Sequence, residues 1–367
     1  GDLATVLTAL TSLSTGAQVR AALDALTGVV YTNLPTVTAE DTWSAMDLVF
    51  QHLSDVQSGT SAATPALTAF APGLGGQAGP VTWAGNAPGD PTGWLTPLTS
   101  SQTLQGTANA PGFTNQSTGL LLGYDYVAGP RLTWGYAAGT WQSSLTLANG
   151  NGTAGITTVA GAVYGGYTAG AFEARGLIGY GVNNFQTTRP INFGDLSRTA
   201  TASGTGNEIM AGLEADYRLQ AGALTVRPTL GIQYVHLTEP AFNESGAGSI
   251  DLGVNAVTAD WLQGLAGVRL DYAQTTAAGT QITYTLHAEY TTLATEPVPQ
   301  IQTLLLGAAS AGPFLTTGIT AAPNSVGAGA RITLHASDRY DLYAGYDAAW
   351  SSNETNQTFS AGLLIHF

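Results

Sequence analysis

From about Gly93 to Phe367 the chain keeps a two-residue period, and that property leaves few folds open. Leu224, Val226, Pro228, Leu230, Ile232 and Tyr234 alternate with Thr225, Arg227, Thr229, Gly231 and Gln233. Ile209, Ala211, Leu213, Ala215, Tyr217 and Leu219 alternate in the same way with Glu208, Met210, Gly212, Glu214, Asp216 and Arg218. Such alternation gives each strand one apolar and one polar face. Turn-like clusters divide the region into about twelve strands, an even number as in outer-membrane barrels. They begin near Trp94, Thr118, Arg131, Ile156, Phe172, Glu208, Leu224, Trp261, Gln281, Val326, Tyr340 and Gln357. Short connections (Val127 to Pro130, Thr168 to Ala171, Gln220 to Ala223, Ser337 to Arg339) are expected to alternate with long ones (Ala148 to Gly155, Thr188 to Gly206). That order places one set of turns in the periplasm, the other outside, and both barrel ends at the periplasmic side.

Alternation alone does not say which face is wet, and composition bears on that. Charged residues make up 9% of the chain, against about 25% in an ordinary soluble domain. A surface in contact with lipid has no use for charge. All ten basic residues are Arg, against 24 acids, which excludes the basic face of a nucleic-acid binder. Zero Cys excludes a disulfide scaffold, and no apolar run reaches the ~18 residues of a helical span. Charges sit on the polar alternates: Glu173, Arg175, Glu214, Asp216, Arg218, Arg227, Arg269, Asp271, Glu289, Arg331, Arg339 and Asp341. The apolar faces are rich in Ala, Leu and Tyr, with Tyr124, Tyr126, Trp134, Tyr180, Tyr217, Tyr234, Tyr272, Tyr290 and Trp350 toward strand ends, as interface girdles require. The charges are therefore assigned to a wet lumen. The i, i+2 pairs Glu173/Arg175, Asp216/Arg218, Arg269/Asp271 and Arg339/Asp341 are expected to neutralise one another there. The fold class is an all-β membrane protein, an antiparallel transmembrane β-barrel of about twelve strands preceded by N-terminal α-helical segments.

Residues 1–57 carry the helical period. Leu3, Val6, Leu7, Leu10 and Leu13 recur at helical spacing, as do Val19, Leu23 and Leu26. Thr15 with Gln18 fits a capping box, and Gly28 a C-terminal stop. Thr38 with Asp41 repeats the capping signature ahead of Trp43, Met46, Val49, Phe50 and Leu53. Residues 58–92 read as a Gly/Pro/Ala-rich linker and 93–367 as the barrel. The chain opens on Gly1 without an initiating Met or a signal-peptide pattern, so a processed or excised chain is expected.

At the C-terminus, Ser360, Gly362, Ile365 and Phe367 fit polar-x-Gly-x-x-apolar-x-aromatic, which resembles the β-signal read by the outer-membrane insertion machinery. Further motifs resemble the β-domain of type V autotransporters. Gly212-Leu-Glu-Ala-Asp-Tyr-Arg-Leu219 and Gly123-Tyr-Asp-Tyr126 look like its Gly-x-Asp-Tyr strand, and Leu224 through Arg227-Pro228 to Tyr234 like its "RP…G…Y" strand. Phe242 to Gly248 resembles the loop that follows, Leu265 to Leu270 the next strand, and Ala22-Leu-Asp-Ala-Leu-Thr-Gly28 the passenger junction. The resemblance covers roughly residues 15–367. It implies an outer-membrane translocator that anchors and helps export an N-terminal passenger, through or alongside its lumen. The implied partners are outer-membrane lipid and lipopolysaccharide, the insertion machinery and the passenger itself. It also implies a helix in the pore, for which Asp41 to Gln57 is the candidate, with Asp41, Trp43, Met46, Asp47, Phe50 and Leu53 its leading residues. Asp41, Asp47, Gln51, His52 and Asp55 are then expected to meet luminal Arg side chains. A free-standing outer-membrane pore or surface-structural barrel without a large passenger is the alternative, since no β-helix repeats precede the barrel.

Catalytic chemistry is not indicated. Gly59-Thr-Ser-Ala-Ala63 lacks the closing Gly of a nucleophile elbow. His52, His236, His287, His335 and His366 lack metal-ligand spacing, and Gly327-Ala-Gly329 opens a strand rather than a dinucleotide loop. No enzyme activity, cofactor or metal is expected.

Overall fold

The computed structural model describes residues 1–57, 81–83, 92–276, 281–295, 297–337 and 340–365. Twelve strands form the barrel: β1 (Thr92–Leu104), β2 (Phe113–Val127), β3 (Leu132–Leu147), β4 (Thr153–Ala169), β5 (Phe172–Phe193) and β6 (Leu196–Tyr217) make one half. The other half is β7 (Leu224–Glu239), β8 (Val257–Thr275), β9 (Gln281–Thr295), β10 (Asn324–Ser337), β11 (Tyr340–Trp350) and β12 (Glu354–Ile365). Each pairs antiparallel with its successor, and β12 returns to β1 through Glu354–Asn356 against Gln102–Leu104, so the sheet closes on itself. Closure is what lets strands cross lipid, because an open edge would leave its backbone groups without partners there. All twelve expected strands are present. The expected linker lies outside the described residues except for Val81–Trp83, which pairs with β1, and Thr92, where β1 begins.

One expected connection is in fact strand. Residues 188–206 are not a loop: β5 and β6 stay in register from Phe172↔Tyr217 to Phe193↔Leu196 and turn on Gly194 and Asp195. Gly194 supplies the positive φ (+53°) that so tight a turn requires. The connection between β3 and β4 is also shorter than expected, covering 148–152.

Side-chain exposure marks the outer band. On β6, Ile209, Leu213 and Tyr217 face outward and are 44%, 64% and 50% exposed. Farther along the same face come Asn207, Thr205, Ser203, Thr201, Thr199 and Ser197, all exposed. The apolar stretch from Ile209 to Tyr217 spans roughly 20 Å along the barrel axis, at ~3.3 Å per residue and a tilt of ~40°. Eight of the nine expected girdle aromatics are exposed, and Tyr234 is half-buried. Past this band the β5–β6 hairpin projects from one end of the barrel.

That end carries a cap. A four-stranded sheet (Phe242–Asn243, Leu252–Val254, Gln300–Leu305, Phe314–Thr317) comes from the two longest connections. Helices α1 (Asp2–Thr11) and α2 (Gly16–Leu26) pack on the inner face of the hairpin. Val6, Ala9, Ala22 and Ala25 are buried there against Ile191, Phe193, Leu196 and Ala200. Thr15 and Gln18 form the expected capping box, and Gly28 adopts φ +66° just past α2.

Leu213→Arg, in the middle of the outer band, is expected to cost about 2–4 kcal/mol. Thr201→Arg, on the projecting hairpin, should cost under about 0.5 kcal/mol. Equilibrium denaturant unfolding of the chain in lipid vesicles checks both values.

Candidate functional site: a helix-filled lumen

A third helix, α3 (Val30–Gln57), runs through the barrel. Its 28 residues at 1.5 Å each give a length of about 42 Å, close to the full thickness of a bilayer. The helix begins eleven residues earlier than the expected Asp41 and passes through Pro35 in its second turn. Thr38 and Asp41 are therefore inside the helix rather than at its cap: the Thr38 carbonyl accepts from Thr42 Oγ1 (2.8 Å), and Asp41 points to the wall.

Toward β1–β6 the contact is dry. Trp43, Met46, Val49, Phe50 and Leu53 pack with Trp94, Leu98, Leu121, Trp141, Leu177 and Met210. The lumen-facing alternates in this half thus include large apolar residues, where sequence alone suggested a uniformly wet wall. Gly212 is the close point of approach: a Cβ there would lie 2.8 Å from both Met46 Cε and Phe50 Cζ.

Polar groups on this side fix register. Asp41 accepts from Ser100 (3.2 Å), Ser117 (2.6 Å) and Ser143, three hydroxyls on three adjacent strands. Thr42 donates to Glu208 (2.8 Å). His52 Nε2 lies 2.5 Å from Asp125, which also accepts from the Tyr164 hydroxyl, and Trp94 Nε1 donates to that hydroxyl (2.5 Å). On the other side, Asp47 accepts from Gln233 (2.6 Å). The expectation that Asp41, Asp47 and His52 meet luminal Arg is overturned. Buried carboxylates find hydroxyl, amide and imidazole partners here.

The Arg residues lie lower. Arg175 donates to Glu214 (2.9 Å) and Asp216 (2.6 Å), and its Nη1 reaches Gln57 (3.4 Å). Arg227 donates to Ser54 (3.3 Å) and stands 3.8 Å from Glu173 and 4.0 Å from Asp271. Arg218 is 3.8 Å from Glu173, and Arg269 pairs with Asp271 (3.0 Å). Of the expected i, i+2 pairs, Arg269/Asp271 forms directly, while Arg175 and Glu173 take partners on neighbouring strands. Glu289 and Arg331 line the same space. Asp341 is a backbone partner of Leu364 in the β11–β12 ladder, and Arg339 lies outside the described residues. The last turn of α3 has no basic residue of its own. Arg175 and Arg227 supply positive charge at its C-terminus, where the helix dipole is negative.

Between α3 and the wall, chiefly β7–β11 with Arg175, Glu214 and Asp216 of β5 and β6, a cavity of about 360 Å³ remains, lined on the helix side by Ser44, Asp47, Phe50, Gln51 and Ser54. The polar ones among them fall on one helical face, and Phe50 at its border belongs to both the cavity and the apolar core.

At its N-terminal end α3 is held by the cap. Glu244 is buried and accepts from the Tyr31 hydroxyl (2.6 Å), the Leu252 N–H (2.7 Å) and Arg189 through two nitrogens. Arg189 also donates to the carbonyls of Ala25 (2.6 Å) and Ile250 (3.1 Å), which ties α2 to the hairpin. Neither residue stood out in the sequence; Arg189 sits in a continuing two-residue period that reads as strand only if Gly194-Asp195 is taken as the turn. Asp2 pairs with Arg198, which holds its carboxyl well below the usual carboxylate range.

A twelve-stranded barrel threaded by an N-terminal helix invites comparison with known proteins. The family model "Autotransporter beta-domain" matches residues 93–347. The chain belongs to the autotransporter β-domain family. Among solved structures it is similar to the translocator domain of the autotransporter NalP from Neisseria meningitidis, with a TM-score of 0.58 and 18% identity, over 89% of this chain and 98% of that one. The β-domain of the Bordetella autotransporter BrkA aligns with a TM-score of 0.52 and 16% identity, over 77% of this chain and all of that one. At such identities the likeness concerns the fold. In sequence, 96 residues are 26% identical to the putative surface-exposed virulence protein BigA of Salmonella typhimurium, covering 26% of this chain and 5% of that protein. The autotransporter β-domain is a secretion and transport domain, not an enzyme family, and the fold here is that of its translocators.

Arg189→Leu would leave Glu244 buried beside an apolar group, a break expected to cost about 3–5 kcal/mol. Hydrogen exchange should then accelerate in α1 and α2 while the barrel strands stay protected. The Asp2–Arg198 contact forms above the usual carboxylate pKa and is lost only as pH falls well below it. Amides of α1 should therefore keep their protection at pH 4.

Proposed function

We propose that this autotransporter β-domain anchors an N-terminal passenger in the bacterial outer membrane and exports it by way of its lumen. The observation that carries the reading is the path of α3. The helix enters at the capped end, contacts the wall along its whole length and leaves at the end bearing the short turns, so residues upstream of Val30 emerge at the cap. A free pore would have no use for a lumen so filled. In this reading the cap is extracellular, the short turns and both barrel ends are periplasmic, and residues 1–57, 58–92 and 93–367 are junction with pore helix, linker and barrel. The outer band faces lipid, and the projecting hairpin stands at the level of lipopolysaccharide.

The same physics limits the mechanism. A ring of twelve strands admits a helix or a hairpin but no folded domain. Passenger folding outside, with assembly by the insertion machinery, then gives export its direction. The cap adds a stop: once α1 and α2 have docked on the hairpin, the junction is wider than the pore. The lumen charges that meet Ser54 and Gln57 seat the lower end of the helix. Ser360, Gly362 and Ile365 lie in β12, beside β11, and Phe367 falls outside the described residues. We assign these four to the signal read at insertion; Phe367→Ala should lower the inserted fraction several-fold in cells, and normal insertion would remove the assignment.

Deleting residues 1–57 should raise single-channel conductance at least five-fold in planar bilayers. Unchanged conductance would contradict an occupied pore.

A further inference from the structure

The seam that closes the barrel is joined at one end only. Glu354, Thr355 and Asn356 of β12 pair with Leu104, Thr103 and Gln102 of β1, and among the described residues these three pairs are the whole seam. From Gln357 to Ile365, β12 pairs among the described residues with β11 alone. The short-turn half of β1 has a different partner on its seam edge. Val81, Thr82 and Trp83 lie opposite Leu95, Trp94 and Gly93, while β2 holds the other edge of the same residues.

Register shows what Val81–Trp83 displaces. Continued without a shift, the seam would set Leu363 opposite Leu95, Leu364 opposite Trp94 and Ile365 opposite Gly93. These are the three β1 residues that Val81–Trp83 holds. The linker strand and the end of β12 therefore compete for one edge.

The sequence makes the linker strand short and replaceable. Val, Thr and Trp favour strands, but Pro80 precedes them and Ala84-Gly85 follows, within a run rich in Gly and Pro. Such a segment offers three rungs, whereas β12 has nine residues from Gln357 to Ile365 to pair. Pro97 stands between the two contacts. The β1–β2 ladder passes through Pro97↔Leu120 without a break, so the N–H that proline lacks falls on the seam edge. A seam zipping from the cap end meets this missing rung just before it reaches the linker strand.

We infer that Val81–Trp83 is a placeholder strand, which covers the seam edge of β1 before the barrel enters lipid and yields it to the end of β12 afterwards. The inference rests on the membrane-barrel reading. In water an uncovered edge invites pairing with other chains, and a short covering strand blunts it. In hydrocarbon the balance reverses. Unpaired backbone groups are costly there, and only the longer β12 can satisfy the rest of the β1 edge together with its own.

The test uses the whole chain, which has no Cys, diluted from urea into vesicles of dilauroylphosphatidylcholine. Residues opposed across a ladder lie close enough for a disulfide. Once the chain is inserted, Leu95→Cys with Leu363→Cys should oxidise at least five-fold more completely than Val81→Cys with Leu95→Cys. In the first moments after dilution the order should reverse. Closing the disulfide between positions 81 and 95 before dilution should lower the fraction that resists unfolding by SDS at least five-fold, and reductant should restore it. If Leu95→Cys prevents insertion, Gly93→Cys with Ile365→Cys and Gly93→Cys with Trp83→Cys replace the two pairs. A link from position 81 that dominates in the inserted barrel, or that never forms, overturns the inference. So does a locked chain as resistant to SDS as the reduced one, or a link from position 363 that joins two chains. A wild-type chain that fails to enter vesicles overturns the membrane-barrel reading, and the inference with it.

Discussion

A closed ring of twelve strands pairs its backbone along the ladders, but it encloses more space than its own inward side chains fill. The rest of this structure follows from how α3 occupies that space. Small residues line the wall where the helix comes closest, as Gly212 does beneath Met46 and Phe50. Large ones reach in where it stands off, as Trp94 and Trp141 do. The two sides of the helix then differ in kind. Toward β1–β6 and the cap-side parts of β7 and β8 it is packed as a protein interior is, whereas farther down β7–β11 it faces a cavity lined by charges and amides.

Polarity along the axis matters as much as polarity around it. Arg175 and Arg227 gather at the C-terminal end of α3, while around its middle Asp41, Thr42 and Asp47 bond to hydroxyl, carboxylate and amide groups of the wall. Each arrangement suits the local chemistry: cations where the helix dipole is negative, and hydroxyl donors where a buried Asp41 would otherwise lack partners. The Arg189–Glu244 cluster does the same work at the upper end. One guanidinium bonds a carboxylate, the end of α2 and a cap carbonyl together, so pore helix, junction helices and hairpin form one unit.

Much of this was legible in the residues. The two-residue period located all twelve barrel strands, because outward Leu213, Tyr217 and Leu230 and inward Glu214, Asp216 and Gln233 obey one rule throughout. The capping box at Thr15 and the stop at Gly28 were equally plain. The projecting hairpin was harder, because its outer face changes from Leu and Tyr to Ser and Thr, and a polar alternating stretch such as Thr199–Thr205 resembles a loop in composition. The early start of α3 was hidden by Pro35 and by Thr38 and Asp41, which imitate a cap. The partners of Asp41 were not legible at all. Ser100, Ser117 and Ser143 are ordinary polar alternates until closure brings three strands to one face of the helix, and no spacing along the chain announces that meeting.

The central claim is that α3 sits in the lumen against one wall. The chain has no Cys, so introduced pairs can be read without background. Thr42→Cys with Glu208→Cys, bridged by a short bismaleimide in intact membranes, should cross-link nearly to completion. Thr42→Cys with Arg331→Cys, across the cavity, should cross-link poorly. Equal yields for the two pairs, or none for the first, would contradict a helix docked as described.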